Sequence, residues 1–427
     1  MQRSLLLLLG LCGLVASRLG ADNALDKEVF GRVAEQMRLN LARLPNYTCV
    51  ETVERSRRSS QSASFELVDR VRLEIAIVNG KEMFSWPGAG NFEDKDIDDL
   101  MLGGAFGNGN FGMLARALFL TNAANFMVAG ERIYDGRRTW RWDFTVPRFR
   151  GVYEIGNRKR KGVAGLRGSF WADAETHHIV RIETKAEEIP AELEIVSSEN
   201  SIDYAHVTIG GAEFLLPKSA ELRMRDYGGE WRNVISLSGC RQYLGESKIS
   251  YGDPQPEAAL KTAGGADQEL VNIPGNMYLQ LRLKNDLRAE TAAIGDPLAA
   301  ELLNDVKANG TVLVRRRAEV RGRVMSLRLQ RGNMKYHVVG IGFDEFITGK
   351  ERGRLRAKLL EVRVAGNIIS TNPLELRRFG GGRVGGWIEH EQIVAPGVLF
   401  VSPGRLLLPA GMQMVWRTES VLFGDSE

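Results

Sequence analysis

Apolar positions recur at two different periods along this 427-residue chain, and the change of period separates its first elements. Over residues 24–44, Leu25, Val29, Val33, Met37, Leu41 and Leu44 fall three or four apart, the spacing of one helical face. Pro45-Asn46 ends that run. From Tyr47 the period is two: Val71, Leu73, Ile75 and Ile77 alternate with Arg70, Arg72, Glu74 and Ala76, which predicts a strand with one buried and one wet face. Strands are predicted over 47–57, 65–79 and 82–86, with Asn79-Gly80 a hairpin turn between the last two. Short helical patterns at 93–102 and 113–120 flank the glycine-rich stretch 103–112. Strands resume at 125–134 and 139–145 around Asp135-Gly136. The clearest hairpin spans 165–186. Leu166, Gly168, Phe170 and Ala172 share one face, Asp173 to His178 form the turn, and Val180 and Ile182 lead the return strand. Further strands are predicted over 193–207, up to Leu216-Pro217, then over 219–226 and 231–243.

The pattern breaks at 252–276, a run of Pro, Gly, Ala and acids with no period, which predicts an interdomain linker. Beyond it, 277–283, 311–316, 318–329, 335–343 and 354–364 are strand-like. Residues 298–307 fit either a helix by composition or a strand by alternation of Leu298, Ala300 and Leu302. A last hairpin is predicted from 398–401 and 405–418. The expected class is mainly β, with an N-terminal antiparallel sheet carrying an amphipathic helix and a C-terminal small β-barrel or sandwich. The expected divisions are a signal peptide over 1–21, a first domain over 22–251, the linker, and a second domain over 277–427.

Composition changes the picture in three places. Met1-Gln-Arg3 followed by the apolar run 5–15 and small residues predicts a signal peptide cleaved after Ala21. Ser17 is the second cleavage position, and retention as an anchor is the alternative. Export then leaves Cys49 and Cys240 in an oxidising compartment, an even pair that predicts one disulfide. From residue 270 onward, 23 Lys and Arg face 16 Asp and Glu, a net of +7; against +4 for the whole chain, the remainder carries −3. The basic C-terminal part therefore suits an envelope protein partner, and its charge says nothing of fold. At 44% hydrophobic residues the chain has ample core material for two domains.

Candidate chemistry is sparse. Gly107-Asn-Gly109-Asn-Phe-Gly112 matches a dinucleotide-loop spacing, but it follows an acidic helical pattern and no parallel strand, so it reads as a loop. The five histidines show no HExxH, HxH or HxxE spacing, so neither a metal site nor a cofactor is expected. No GxSxG elbow or P-loop occurs, and no catalytic residue is expected. The basic clusters 156–162 and Arg315-Arg-Arg317 suit a wet loop or anionic lipid better than nucleic acid. Trp140, Trp142 and Phe144 alternate with Arg141 and Asp143, stacking three aromatics on one strand face. They suit sheet core under the helix, or, with Phe170, the wall of an apolar ligand pocket.

Several of these stretches together resemble the outer-membrane lipoprotein carrier (LolA-like) superfamily. They are the helix after the signal, Tyr47-Thr-Cys-Val-Glu-Thr as first strand, Gly168-Ser-Phe-Trp-Ala-Asp173 through Ile179-Val-Arg-Ile-Glu183, and Phe214-Leu-Leu-Pro217. The likeness covers roughly residues 24–250. It implies a half-open antiparallel barrel whose concave face, covered by helices, holds acyl chains or other apolar ligands. The paired cysteines and the glycine loop depart from the family's plainest members. The second part more weakly resembles the β-barrel module of TrbI-like conjugation-channel proteins, at Ala293-Ile-Gly-Asp-Pro-Leu-Ala-Ala300, Ala318-Glu-Val-Arg-Gly-Arg-Val324 and Leu408-Pro-Ala-Gly411. Arg315-Arg-Arg317 stands where that module carries Pro-Lys-Gly. If the likeness holds, 298–307 is strand. The expected function is an exported, periplasmic or envelope-associated binding protein that takes a lipid, acyl chain or lipoprotein. The alternative is a non-enzymatic structural or assembly component of an envelope complex.

Overall fold

The computed structural model describes residues 26–62, 64–89, 92, 111–156, 160–243, 273–330, 335–348, 351–363, 368–371 and 395–419. The signal segment, the 93–102 pattern, the glycine loop up to 110, almost all of the linker and His390 lie outside the described residues. Helix α1 covers 26–43. Its predicted stripe is the buried one, with Val29, Val33, Met37 and Leu41 all turned onto the sheet. A second helix, α2 (Phe111–Phe119), lies beside it on the same apolar cluster, to which Leu114, Leu118 and Phe119 contribute.

Eleven strands form the first sheet: β1 (Tyr47–Ser59), β2 (Glu66–Val78), β3 (Lys81–Ser85), β4 (Asn125–Tyr134), β5 (Arg137–Val146), β6 (Tyr153–Gly156), β7 (Lys161–Asp173), β8 (Ile179–Glu187), β9 (Ile195–Ile209), β10 (Ala212–Asp226) and β11 (Gly229–Gln242). Their order is β3-β2-β1-β11-β10-β9-β8-β7-β5-β4, all antiparallel, with β6 paired to β7 alone. The sheet curls into a half-barrel and stays open, because β3 and β4 end the path without meeting. Strand β10 runs unbroken through Pro217, where sequence reading places a gap. Proline gives no ladder donor, and the register to β9 slips between Pro217 and Ser219.

The first strand lies beside the last. β1 pairs with β11 along its whole length, with a bulge between Thr48 and Val50. That bulge sets Cys49 against Cys240, and the two form the predicted disulfide with Cα atoms 4.1 Å apart.

The C-terminal part comprises β12 (Tyr278–Leu283), β13 (Leu287–Arg288), β14 (Pro297–Leu302), β15 (Val306–Ala308), β16 (Thr311–Val314), β17 (Glu319–Gln330), β18 (Tyr336–Thr348), β19 (Glu351–Arg354), β20 (Ala357–Arg363), β21 (Ile368–Ser370), β22 (Gly397–Val401), β23 (Leu406–Leu408) and β24 (Gln413–Thr418). Its main sheet follows β20-β24-β12-β14-β17-β18-β22-β21, so 298–302 is strand and not helix. The sheet curls until Leu359 N–H, on β20, donates to Pro396 O just ahead of β22 at 3.0 Å. Inside, Trp416 meets Phe343 edge-on at 5.3 Å amid Leu281, Ile341 and Leu399. The predicted last hairpin is not formed. β22 pairs with β18 and β21, while β24 pairs with β12 and β20, because both strands complete their hydrogen bonds with distant partners.

The two sheets touch at one edge of β2. β3 covers that edge only from Glu74 to Val78, and below it Ile294 fills the vacancy. Arg72 N–H donates to Ile294 O and Ile294 N–H to Arg70 O, each at 2.8 Å. Arg72 also binds the Asp296 carboxylate, and Arg70 donates to Glu290 O at 2.8 Å. Gly295 is required at this crossing. Its φ is +96°, and a Cβ there would stand 2.3 Å from Arg72 O and 2.6 Å from the Trp86 ring. Arg70 and Arg72, expected on a wet face, are thus partly covered by the 290–296 loop.

Candidate ligand-binding interior of the half-barrel

Pairing brings the four predicted ligand residues together. Trp142 stands opposite Phe170 and Phe144 opposite Gly168, so the alternation in β5 and β7 lands on one inner face. Trp142 and Phe170 stack at 5.0 Å, and Trp140 lies 6.2 Å from Trp142. Phe126, from β4, reaches Phe144 at 6.1 Å and Phe170 at 5.9 Å. Two rings come from the helices: Phe30 sits 4.9 Å from Phe126, and Phe119 sits edge-on to Phe170 at 5.4 Å. Gly168 makes room for this layer, since a Cβ there would stand 2.6 Å from the Phe144 ring. The result is a closed aromatic layer. Trp142, Phe144 and Phe170 are 1%, 2% and 0% exposed, while Trp140, Phe126 and Phe30 are half-buried.

This interior also contains polar atoms with nothing to bond. Trp142 Nε1, the Tyr204 hydroxyl and both carboxyl oxygens of Glu51 are buried without a hydrogen-bond partner among the described residues. Such atoms are rare in folded proteins, and each one needs a cause. Glu51 shares its strand face with Tyr47, Cys49, Val53 and Arg55, packed between Leu73 on β2 and Leu237 on β11. Burial, and then the Glu82 charge, push its carboxyl well above the usual carboxylate range, which favours the neutral form. Burial likewise pushes the Tyr204 and Tyr47 hydroxyls up. Four residues further along the same face of β1, Arg55 has a partner. It donates through Nε to Asp69 Oδ1 at 2.7 Å and through Nη2 to Asp69 Oδ2 at 2.5 Å, and the pair is buried.

Sequence reading missed Glu51 and Arg55. The available signal was the period-two frame itself, which sets both charges on the apolar side of β1.

The opposite face of the sheet is a different surface. An open groove of about 710 Å³ crosses strands β4 to β10, bordered by Arg141, Arg167, Lys185, Glu221 and Arg223 among others. Its charges are mutually satisfied. Asp143 accepts from Arg141 at 2.8 Å and from Ser169 at 2.6 Å, Lys185 pairs with Glu199 at 2.7 Å, and Glu221 takes Arg223 and Arg232 at 2.6 Å each. Of the four predicted residues only Phe144 also borders this groove. Among the described residues, no group of three or more His, Cys, Asp or Glu is placed to hold a metal ion, and no helix is long and apolar enough to cross a membrane.

No family model matches the chain, and no curated protein does. Solved structures similar to part of it include a DUF1329 family protein from Desulfovibrio piger, at 15% identity and a TM-score of 0.27, covering 52% of this chain and 94% of that one. An outer membrane lipoprotein-sorting protein domain from Vibrio parahaemolyticus is 9% identical with a TM-score of 0.26, covering 51% and 93%. A LolA superfamily protein from Nitrosomonas europaea is 12% identical with a TM-score of 0.25, covering 51% and 93%. The LolA-like resemblance read in the sequence is met again in these structures, and at such scores it carries nothing about function.

Proposed function

We propose that the chain is an exported envelope protein whose half-barrel accommodates a lipid, an acyl chain or the acyl part of a lipoprotein between the aromatic face and helices α1 and α2. The supporting observation is the aromatic layer together with its orphaned polar atoms. Ligand sites are mostly apolar and aromatic, with a few polar groups that fix orientation. Here the apolar wall is Trp140, Trp142, Phe144 and Phe170, and Trp142 Nε1 and the Tyr204 hydroxyl wait for partners that an ester or hydroxyl group supplies. Entry requires the helices to lift. Helix α1 is fastened by apolar burial and by Asn40, whose side-chain amide exchanges two 2.8 Å hydrogen bonds with the Leu215 backbone. A fastening at one end leaves Phe30, near the other end, to act as the plug that an incoming chain displaces.

The test is binding of an apolar fluorescent probe to the full chain and to Trp142→Ala, with Trp142→Phe as the gentler variant should alanine disturb folding. Affinity is expected to weaken roughly tenfold, about 1.4 kcal/mol, in a variant that keeps its circular dichroism. Unchanged affinity in both folded variants returns these residues to plain core and removes the reading.

A further inference from the structure

We propose that His178 and His206 form a binding site for one divalent transition-metal ion, of the zinc, copper or nickel type, on the surface of the first sheet. Sequence spacing does not join them, since one closes a turn and the other lies in β9, 28 residues on. Pairing of β8 with β9 brings their rings side by side. His178 Nδ1 and His206 Nε2 stand 3.1 Å apart, with ring centroids 4.9 Å apart.

That separation is the one a shared ion imposes. Two nitrogens each bound at about 2.0–2.1 Å lie about 2.9 Å apart at a right angle and about 3.3 Å apart at the tetrahedral angle. The observed gap falls between these values, so small rotations of the two rings turn both nitrogens onto one ion. The backbone is already set. Asp173 N–H donates to His178 O at 2.9 Å, and Asp173 Oδ1 accepts from Glu175 N–H and Thr176 N–H at 2.9 Å each, which fixes the turn. His206 is held within the β9 ladder.

Both rings lie at the surface, where a hydrated ion reaches them. In the metal-free pair, one ring donates its N–H to the other. On binding, the donor moves that proton to its far nitrogen, so both facing nitrogens ligate without a net proton release. With two protein ligands and water completing the shell, the site is open, and borderline ions that favour imidazole suit it.

The test is calorimetric titration of the full chain with Zn²⁺ alone in a non-chelating buffer, and electron paramagnetic resonance of the Cu²⁺-loaded protein. One ion per chain is expected, with affinity falling roughly tenfold or more in H178A and in H206A and unchanged in H337A, a histidine of the other sheet. The Cu²⁺ spectrum should show nitrogen coupling that both variants diminish. Zinc binding by the native chain no tighter than by the H178A/H206A double variant overturns the proposal, as does a Cu²⁺ spectrum without nitrogen coupling.

Discussion

Replacing Glu51 by glutamine isolates one proton. The Glu51 carboxyl is 0% exposed, no hydrogen bond from the described residues reaches it, and burial followed by the Glu82 charge raises its pKa well above 4.5. Above the ordinary glutamate range the unfolded chain releases this proton while the folded chain keeps it. Folded protein then binds more protons than unfolded, so the contribution is complete below about pH 4.5 and is lost as pH rises toward the folded pKa. One proton corresponds to about 1.4 kcal/mol per pH unit. Between pH 5.5 and 7.5 the native chain should therefore lose stability relative to Glu51→Gln, which cannot titrate there, with a slope of at most about 1.4 kcal/mol per pH unit. The amide shifts the intercept of this difference and leaves its slope alone. Urea denaturation of both proteins at three pH values and fixed ionic strength gives the difference directly, with contributions common to both cancelled. A difference constant to within roughly 0.5 kcal/mol over that range would mean that Glu51 is ionised when folded, and the reading of a neutral interior acid would fall.

Two further perturbations follow from buried pairs and from the edge of β2. Asp69→Asn removes the carboxylate that the Arg55 guanidinium binds through Nε and Nη2, and should cost up to about 3–5 kcal/mol by denaturation, while an Arg55→Met, Asp69→Leu double variant recovers much of it. A loss below about 1 kcal/mol in Asp69→Asn would show that water or another group already compensates the arginine. Limited proteolysis should cut first within 252–276, the proposed linker, leaving two resistant fragments that co-elute on gel filtration. Asp296→Ala, which removes the acceptor of Arg72 and of Ala293 N–H, should let them separate. A first cut deep inside either sheet counts against two domains.

What the sequence revealed was whatever depends on local geometry. The α1 stripe and the β2 alternation were legible because side-chain direction repeats with backbone period, and the 165–186 hairpin because its turn residues sit between two such runs. Pairing between remote strands has no local signature. β22 and β24 both alternate and stand close in sequence, yet each takes its partners from elsewhere. The same limit hid the His178–His206 pair and the partial covering of Arg70 and Arg72. Glu51 and Arg55 were hidden for a different reason. A charged residue within an alternating strand is read as outward by type, whereas its parity with Val53 sets it inward. Trp142, Phe144 and Phe170 share one face, but the periodicity that gathers them is indifferent to whether the space above them is filled.

The adjacency of β1 and β11 has a kinetic meaning. The disulfide they share joins residues 191 apart, and β1 must wait for β11 to be translated before its inner edge is paired. Until then β1 and β2 form an open-edged hairpin with an apolar face, the kind of surface that invites association with other chains. A contact of such long range also slows folding, since the loop must close before the pairing rewards it. Synthesis delivers the chain from the N-terminus, so the half-barrel is completed last at the strand that arrived first. Factors that shield unpaired strands during synthesis should matter more for this protein than for one whose first strand pairs with its second neighbour alone.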